Sequence, residues 1–168
     1  MSNPSVPAAA PSPVAAPDAI LGTVKGMYVT MTIAQQLFGI PVLKVQDVLG
    51  PQRIAHVPLA PAEVLGSLNL RGRIVTAVDA RTRLGLPPRE DKNESMSVVV
   101  EHDNELYSIV IDKVGEVMSL PSADFERNPA TLDPRWQEVS DGIYRLQGSL
   151  LIVLDVARFL RLDQQRAA

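Results

Sequence analysis

The chain has 168 residues, of which 46% are hydrophobic and 21% charged, the balance of one ordinary globular domain. Its formal net charge of -3 gives no general attraction to phosphate backbones, so nucleic acid is not expected as a partner. The lack of cysteine excludes disulfides, thiolate metal ligands and cysteine nucleophiles, and fits a reducing cytoplasm. No apolar run approaches the roughly 20 residues of a membrane-spanning helix, so direct membrane insertion is not expected.

The N-terminal part differs in composition from the rest. Residues 1–24 are predicted to be a flexible tail, because they are rich in Pro, Ala and Ser and poor in large apolar side chains. A domain is expected over residues 25–165. It opens with apolar residues at alternate positions from Met27 to Ile33, which indicates a half-buried strand.

An internal repeat organises this domain. A shift of 76 residues places Asp79 on Asp155, each following an apolar run and placed to cap a short helix, and a shift of 69 places Lys44 on Lys113. The difference between the shifts is assigned to a loop over residues 123–141. Each copy is too small for a deep core but sufficient for a small closed barrel. We therefore predict an all-β fold with two barrels, about 27–88 and 96–162, joined by Pro87–Glu94.

Signals for catalysis are weak. Neither His56 nor His102 has neighbours that suggest a nucleophile or a metal site, and no phosphate-binding loop is present. Acidic residues that could converge for acid–base chemistry are Asp47, Asp79, Asp112, Glu116 and Asp155. The repeat explains two of these as helix caps, so we expect no enzyme and no cofactor. A regulatory enzyme built on the acids, and a barrel that binds nucleic acid or a small ligand, remain alternatives.

A cluster of arginines is the most distinctive local feature. It comprises Arg71, Arg73, Arg81, Arg83 and Arg89. The guanidinium group suits recognition of acidic groups on a partner, although the cluster is equally compatible with a solvated face.

Several segments together resemble the CheW family. Residues 68–72, Leu-Asn-Leu-Arg-Gly, are followed by an apolar strand, Asp79 and Arg81, much like the signature segment of that family. Residues 43–47 resemble its Lys-Val-Gln-Glu segment, 111–117 its Val-Asp-x-Val segment, and 150–155 its closing strand. The likeness runs in order from about residue 27 to residue 162.

This resemblance implies two intertwined five-stranded barrels and a non-catalytic adaptor. Such an adaptor couples the cytoplasmic tip of a chemoreceptor to the C-terminal regulatory domain of the CheA histidine kinase, and contacts other CheW copies in arrays. It would be cytoplasmic, at arrays of membrane-bound receptors. The receptor- or kinase-binding residues that it implies are Arg71, Asn69, Gly72, Gly66, Leu43, Lys44, Val45, Gln46, Asp47 and Val117.

Some positions depart from the family pattern. Thr76 and Ala77 replace what is commonly Pro followed by a larger aliphatic residue, and Ala80 replaces Leu. Asp47 shortens the usual Glu, and Ser108 stands where Gly is frequent. These changes are expected to soften the core and to leave the binding motif intact, and they leave the partner preference open.

Overall fold

A computed structural model describes residues 26–162 of the chain. These residues form ten strands and several one-turn helices, so the predicted all-β class is confirmed. Strands β1 to β10 are Met27–Ile33, Gln36–Pro41, Val45–Leu49, Val64–Leu70, Arg73–Asp79, Met96–His102, Glu105–Ile111, Lys113–Ser119, Ser140–Leu146 and Ser149–Leu154. Helices α1 to α3 are Ala80–Arg83, Pro134–Gln137 and Val156–Phe159, and 3-10 turns cover Val42–Lys44, Lys92–Glu94 and Ser122–Asp124. The predicted tail, residues 1–24, lies outside the described residues.

The strands build two five-stranded sheets. The first sheet has the order β8-β1-β2-β10-β9 and the second has the order β3-β6-β7-β5-β4. Within each sheet neighbours are antiparallel except at one pair, β2 with β10 in the first and β5 with β7 in the second. These parallel pairs join strands from the two halves of the chain.

The predicted repeat is confirmed strand by strand. Strands β1 and β6 start and end 69 residues apart, whereas β4, β5 and α1 precede β9, β10 and α3 by 76. Each sheet combines the first hairpin of one copy with the last three strands of the other. The ranges expected to form separate barrels, 27–88 and 96–162, therefore correspond to the repeat copies, and each copy contributes to both sheets. The parallel pairs thus hydrogen-bond strands of the two copies to each other within each sheet.

Burial explains why the strands are so apolar. Side chains from both sheets, including Met31, Phe38, Ile109 and Ile152, share one core between the sheets. A smaller cluster lies on the other face of each sheet. The central strands are thus buried on both faces, which favours continuous apolar runs. This corrects the half-buried interpretation of β1, since Tyr28 and Thr30 are buried as well.

The long segment between β8 and β9 is more ordered than the predicted loop. Glu126 forms a β-bridge with Ile143, and α2 begins at Pro134 behind an Asp133 cap. On α2, Trp136 packs edge-on against Phe38 at a centroid distance of 5.7 Å, and its indole N–H donates to the Leu84 carbonyl. The extra residues of the second copy thus close one side of the shared core.

Candidate partner-binding surface

The hairpin turn between β4 and β5 carries the signature residues. Arg71 and Gly72 have φ values of 52° and 86°, the positive pair expected of a two-residue type I′ turn. The side-chain oxygen of Asn69 accepts a 2.9 Å hydrogen bond from the Gly72 amide. Asn69 and Gly72 therefore shape the turn, and Arg71 is the residue that the turn presents.

The Arg71 side chain projects into solvent and is held at one end. It is 78% exposed, and its Nη2 lies 3.1 Å from Oδ2 of Asp47, a contact of opposite charges rather than an aligned hydrogen bond. Asp47 lies on β3 and Arg71 follows β4, the two outer strands of the second sheet. The sheet therefore curls enough for the Arg71 side chain, beyond the end of β4, to reach β3. Because Arg71 is mostly in solvent, the ion pair adds little to stability, and its main consequence is to orient the guanidinium.

The segment from Leu43 to Asp47 adjoins this pair. Leu43 and Lys44 are exposed in the 3-10 turn by which the chain crosses from the first sheet to the second. In β3, Gln46 is exposed whereas Val45 and Asp47 are half-buried. The side chain of Leu43 is 53% exposed. The structure thus brings Asp47 to Arg71 and leaves an apolar and a cationic side chain free at the crossing.

Gly66 has a backbone role. It is buried in a β-bulge with φ of 147°, and a Cβ there would collide with the Ala55 carbonyl oxygen. Its repeat counterpart Gly142 has φ of 154° and is similarly crowded. Because both copies require glycine here, Gly66 serves the fold and contributes no side chain to a binding surface.

Val117 lies apart from the turn. It is on β8, an outer strand of the first sheet, and is 49% exposed. Its repeat counterpart in the second sheet is Val48 on β3, which is also exposed. The ten residues implied by the resemblance therefore occupy two sheets, with Arg71 and Asp47 in direct contact and Val117 elsewhere.

Comparison with known proteins identifies the family. The model of the CheW-like domain matches residues 27–164. The chain belongs to the CheW-like domain family. Its relatives include proteins named chemotaxis protein CheW from Helicobacter pylori, 26% identical over 81% of this chain and 82% of that one, and from Treponema pallidum, 29% identical over 76% and 78%. The fold resembles the crystal structure of scaffolding protein TtCheW from Thermoanaerobacter tengcongensis, with a TM-score of 0.74 and 23% identity over 83% of this chain and 94% of that one.

The arginine cluster predicted from the sequence does not form one surface in this CheW-like domain. Arg83 donates to the carbonyls of Phe159 and Arg158, and its guanidinium lies over the Phe159 ring. Arg81 and Arg89 bind carboxylates within the protein. Of the five arginines, Arg71 and Arg73 remain largely exposed, with side-chain exposures of 78% and 56%.

The internal carboxylate partners are Asp79 and Asp112. Arg89 contacts Asp79 at 3.1 Å and Asp112 at 3.2 Å, and Arg81 contacts Asp112 at 2.7 Å. Burial by itself raises the pKa of Asp112, but hydrogen bonds from Arg81 and the Ala34 amide outweigh it and hold the pKa below its ordinary value. We call these four charged residues the clasp. Both carboxylates are occupied by arginine, an arrangement unsuited to proton transfer.

The other candidate acids have separate surroundings. Asp155 caps α3, as predicted, and pairs with Arg158 at 3.0 Å, whereas Asp79 caps α1 in addition to its place in the clasp. The described residues hold no group of three or more side chains suited to a metal ion. Residues 26–162 contain no helix with the length and apolar character needed to span a membrane. No acid–base or metal centre emerges from this part of the chain.

One surface residue was missed by sequence reasoning. Ile74 follows the signature turn on β5 and is 69% exposed. Its repeat counterpart Leu150 packs against the shared core, so the repeat predicts a covered side chain. Only the three-dimensional structure shows that the first copy leaves this position open, next to Arg71.

Proposed function

We propose that this protein is a non-catalytic adaptor that couples chemoreceptors to the CheA histidine kinase in chemotaxis signalling. The family match supports this assignment, together with relatives named chemotaxis protein CheW and a solved neighbour titled a scaffolding protein. The cytoplasmic side of a membrane-bound receptor array is the location that this function requires.

The observation that carries the proposal is the presentation of Arg71. A cation that the fold needs would be buried, whereas this one stands 78% exposed at the tip of a well-formed turn. Two exposed side chains supply apolar area nearby: Ile74 on β5 of the same sheet, and Leu43 in the 3-10 turn that precedes β3. An Arg beside apolar anchors is a common composition of interface hot spots.

The proposed partner surface consists of the turn at Asn69–Gly72 and the segment Leu43–Asp47. A receptor tip is a helical hairpin, and its apolar stripe would lie against the uncharged part of this surface. Acidic groups beside the stripe would compete with Asp47 for Arg71. The strength of the ion pair with Asp47 then determines how easily the Arg71 guanidinium can bind the partner instead. Asp47 is therefore a positioning residue.

The mechanism is assembly rather than chemistry. An adaptor that holds receptor and kinase together turns two modest affinities into one multivalent complex. A change in receptor conformation then reaches the kinase as a coupling free energy between the two binding sites. Neutralised carboxylates and the scarcity of catalytic groups in the described residues suit a protein that acts by contact.

The test measures two affinities and one reaction. Purified full-length protein is titrated separately with a soluble receptor-tip fragment and with the C-terminal regulatory domain of CheA, by calorimetry. Micromolar or tighter binding to both is expected. Incubation with active CheA and labelled ATP should leave the protein without label. Binding to neither partner, or stoichiometric phosphorylation of a defined residue, would overturn the proposal.

A further inference from the structure

The small apolar cluster on the outer face of the first sheet, the face away from the shared core, is built around three aromatic rings. Tyr28 and Tyr144 meet edge-on with their centroids 5.5 Å apart, and Phe125 meets Tyr144 in the same way at 5.4 Å. The hydroxyl groups of the two tyrosines lie 3.3 Å apart, within hydrogen-bonding distance. The rings thus fill this face of the first sheet, and the two hydroxyl groups pair with each other.

The repeat counterparts of the two tyrosines have no ring. The shift of 69 residues places Tyr28 on Ser97, and the shift of 76 places Tyr144 on Leu68. Ser97 is buried and lies two residues before Val99, a member of the cluster on the outer face of the second sheet. Because side chains two residues apart on a strand share a face, Ser97 points to the same side as that cluster.

The counterpart of Phe125 is Ile54, in the part of the chain where the shift changes. Two equivalent β-bridges establish this correspondence, since each bridge immediately follows one of the two residues: Ala55 with Ser67, and Glu126 with Ile143. A Cβ on the bulge glycine would meet Ile54 in the first copy and Phe125 in the second. All three ring positions of the first sheet are therefore occupied by smaller or aliphatic side chains in the second.

A hollow lies at this place in the second sheet, and we call it the second-sheet pocket. Its volume is about 390 Å³, and its apolar wall includes Ile54, Leu65 and Val110, which all belong to the second-sheet cluster. Val110 is paired with Ser97 across β6 and β7, so the pocket adjoins the position that corresponds to Tyr28. Its volume falls within the roughly 300–1,000 Å³ that is usual for small-molecule sites.

The polar groups of the pocket favour an uncharged ligand. Arg89 and Asp79 both line it, but they pair with each other at 3.1 Å and their side chains are almost buried, so neither offers a free charge. Gln52 and Asn93 are exposed at its mouth, and their amide groups can exchange hydrogen bonds with a hydroxyl group. The lining therefore suits an apolar body with one neutral polar group.

The same face of the second sheet also keeps an unsatisfied polar atom. Ser108 lies two residues before Val110 on β7 and is fully buried, and its Oγ has no hydrogen-bond partner among the described residues. Packing and hydrogen bonding on this face are thus less complete than around Tyr28 and Tyr144 in the first sheet.

We propose that the second-sheet pocket binds a small, neutral aromatic molecule with a hydroxyl group, a phenol in the simplest case, where the first sheet has its own rings. The ring of the ligand contacts Ile54, Leu65 and Val110, and its hydroxyl group faces Gln52 and Asn93 at the mouth. The inference is independent of the proposed function, because the pocket contains no residue of the proposed partner surface.

Binding is tested with p-cresol, which is the tyrosine side chain as a separate molecule. Full-length protein is titrated by calorimetry and by NMR of the backbone amides. One saturable site with a Kd of about 1 mM or tighter is expected, with the largest amide shifts near Ile54, Leu65 and Val110. The similarly sized but charged 4-methylbenzoate should bind at least about tenfold more weakly, because the cation in the lining is already paired. No saturation by p-cresol, amide shifts located elsewhere, or equal binding of the two compounds would overturn the proposal.

Two variants place the first sheet's ring in the second-sheet pocket. Ser97→Tyr and Ile54→Phe should each weaken p-cresol binding at least about tenfold, because the new ring fills the site. Ser149→Tyr, at an exposed position on β10 of the first sheet, is the matched control and should bind p-cresol as the wild type does. Ser97 is buried, so if its variant fails to fold, Ile54→Phe decides, since Ile54 is only half-buried. Wild-type affinity in every folded filling variant would overturn the proposal.

Discussion

The hairpin turns at residues 71–72 and 147–148 occupy the same place in the two repeat copies and share a glycine at the second position, but they differ at the first position and in the residue that supports the turn. In the first copy Arg71 and Gly72 both have positive φ, and Asn69 supports the turn. In the second copy only Gly148 has a positive φ, and the residue at the place of Asn69 is Arg145, which pairs with Glu126. The fold accepts either turn. Because the fold does not require Arg71, this residue is available to bind a partner.

The two places where the chain crosses from one sheet to the other also differ, but here the second copy has the extra ion pairs and the first copy has the exposed residue. Asp112 is fixed by two arginines at one crossing, whereas Leu43 is exposed at the other. Residues that both copies share are needed for the fold. Residues found in one copy only either stabilise the fold, as the clasp does, or are available for binding.

The largest effect is expected at Gly66. Gly66→Ala should lower the free energy of unfolding by about 3 kcal/mol or more, because the added Cβ meets backbone and φ is unfavourable for alanine. Gly142→Ala should have an effect of similar size. Gly72→Ala, where nothing lies within 4 Å of the new Cβ, should cost only about 1 kcal/mol. Denaturant unfolding measures all three. If Gly66→Ala changed the free energy of unfolding only slightly but abolished partner binding, Gly66 would have to be counted as part of the binding surface.

The next effect concerns the clasp, which one copy alone has. The Arg89 and Asp79 side chains are 11% and 9% exposed, so Arg89→Gln leaves a nearly buried carboxylate without its cation. A loss of roughly 2–3 kcal/mol is expected, somewhat below the range for fully buried pairs. Its matched control is Arg145→Gln, whose ion pair is largely exposed. Equal thermal stability of the two variants would show that the clasp does not lock the fold.

For Arg71 the expectation is reversed. Arg71→Gln should change stability by less than about 1 kcal/mol, because the Arg71 side chain is 78% exposed, although Asp47 is only 24% exposed. It should weaken binding to the receptor tip or to CheA by about 2 kcal/mol, near thirtyfold in Kd. Thermal unfolding and titration of the same sample measure both, with Arg145→Gln again as the control. Wild-type affinity, or a protein too unstable to titrate, would remove Arg71 from the interface.

The smallest effect sharpens the comparison inside the core. Ala77 and Ser108 are paired across β5 and β7, both fully buried, where the first sheet pairs Val153 with Gly39. A Cβ on Gly39 would press on Leu151, whereas the equivalent Ser108 is paired with the small side chain of Ala77. Ala77→Val alone should cost 1–3 kcal/mol by overpacking, approximately. Adding Ser108→Gly should recover about 1 kcal/mol of it. Strictly additive unfolding free energies would contradict this compensation.

Much of the fold follows from the sequence because its strongest signals are local. The capping aspartates, the glycine turns and the apolar runs recur at fixed shifts, and each marks a strand or helix end that the structure confirms. The exchange of strands between the sheets was not predicted from these signals, because a repeat reveals equivalent strands and not their neighbours. That the two halves are intertwined was expected only from the family resemblance. The parallel pairs β2–β10 and β5–β7 show how the strands of the two copies are joined.

The candidate surface was harder to predict. Five arginines close in sequence suggested one patch, but Arg81, Arg83 and Arg89 turn inward to partners 31, 76 and 23 residues away. Long-range pairing of this kind leaves no local pattern. The exposure of Ile74 was missed for a related reason, because the residues that surround a side chain in space determine whether it is buried. The predicted partners of the remaining surface residues stay predictions.

If the protein bridges a receptor and CheA, the amount of bridged complex must depend on the protein's concentration in a characteristic way. Tagged receptor tip is immobilised, the C-terminal domain of CheA is supplied at fixed concentration, and the full-length protein is titrated. A bridge predicts retention of CheA that first rises and then falls, because excess adaptor saturates each partner separately. Arg71→Gln should lower the maximum, and Arg145→Gln should not. Retention that declines from the first addition would identify a competitor, and retention that never changes would contradict the account.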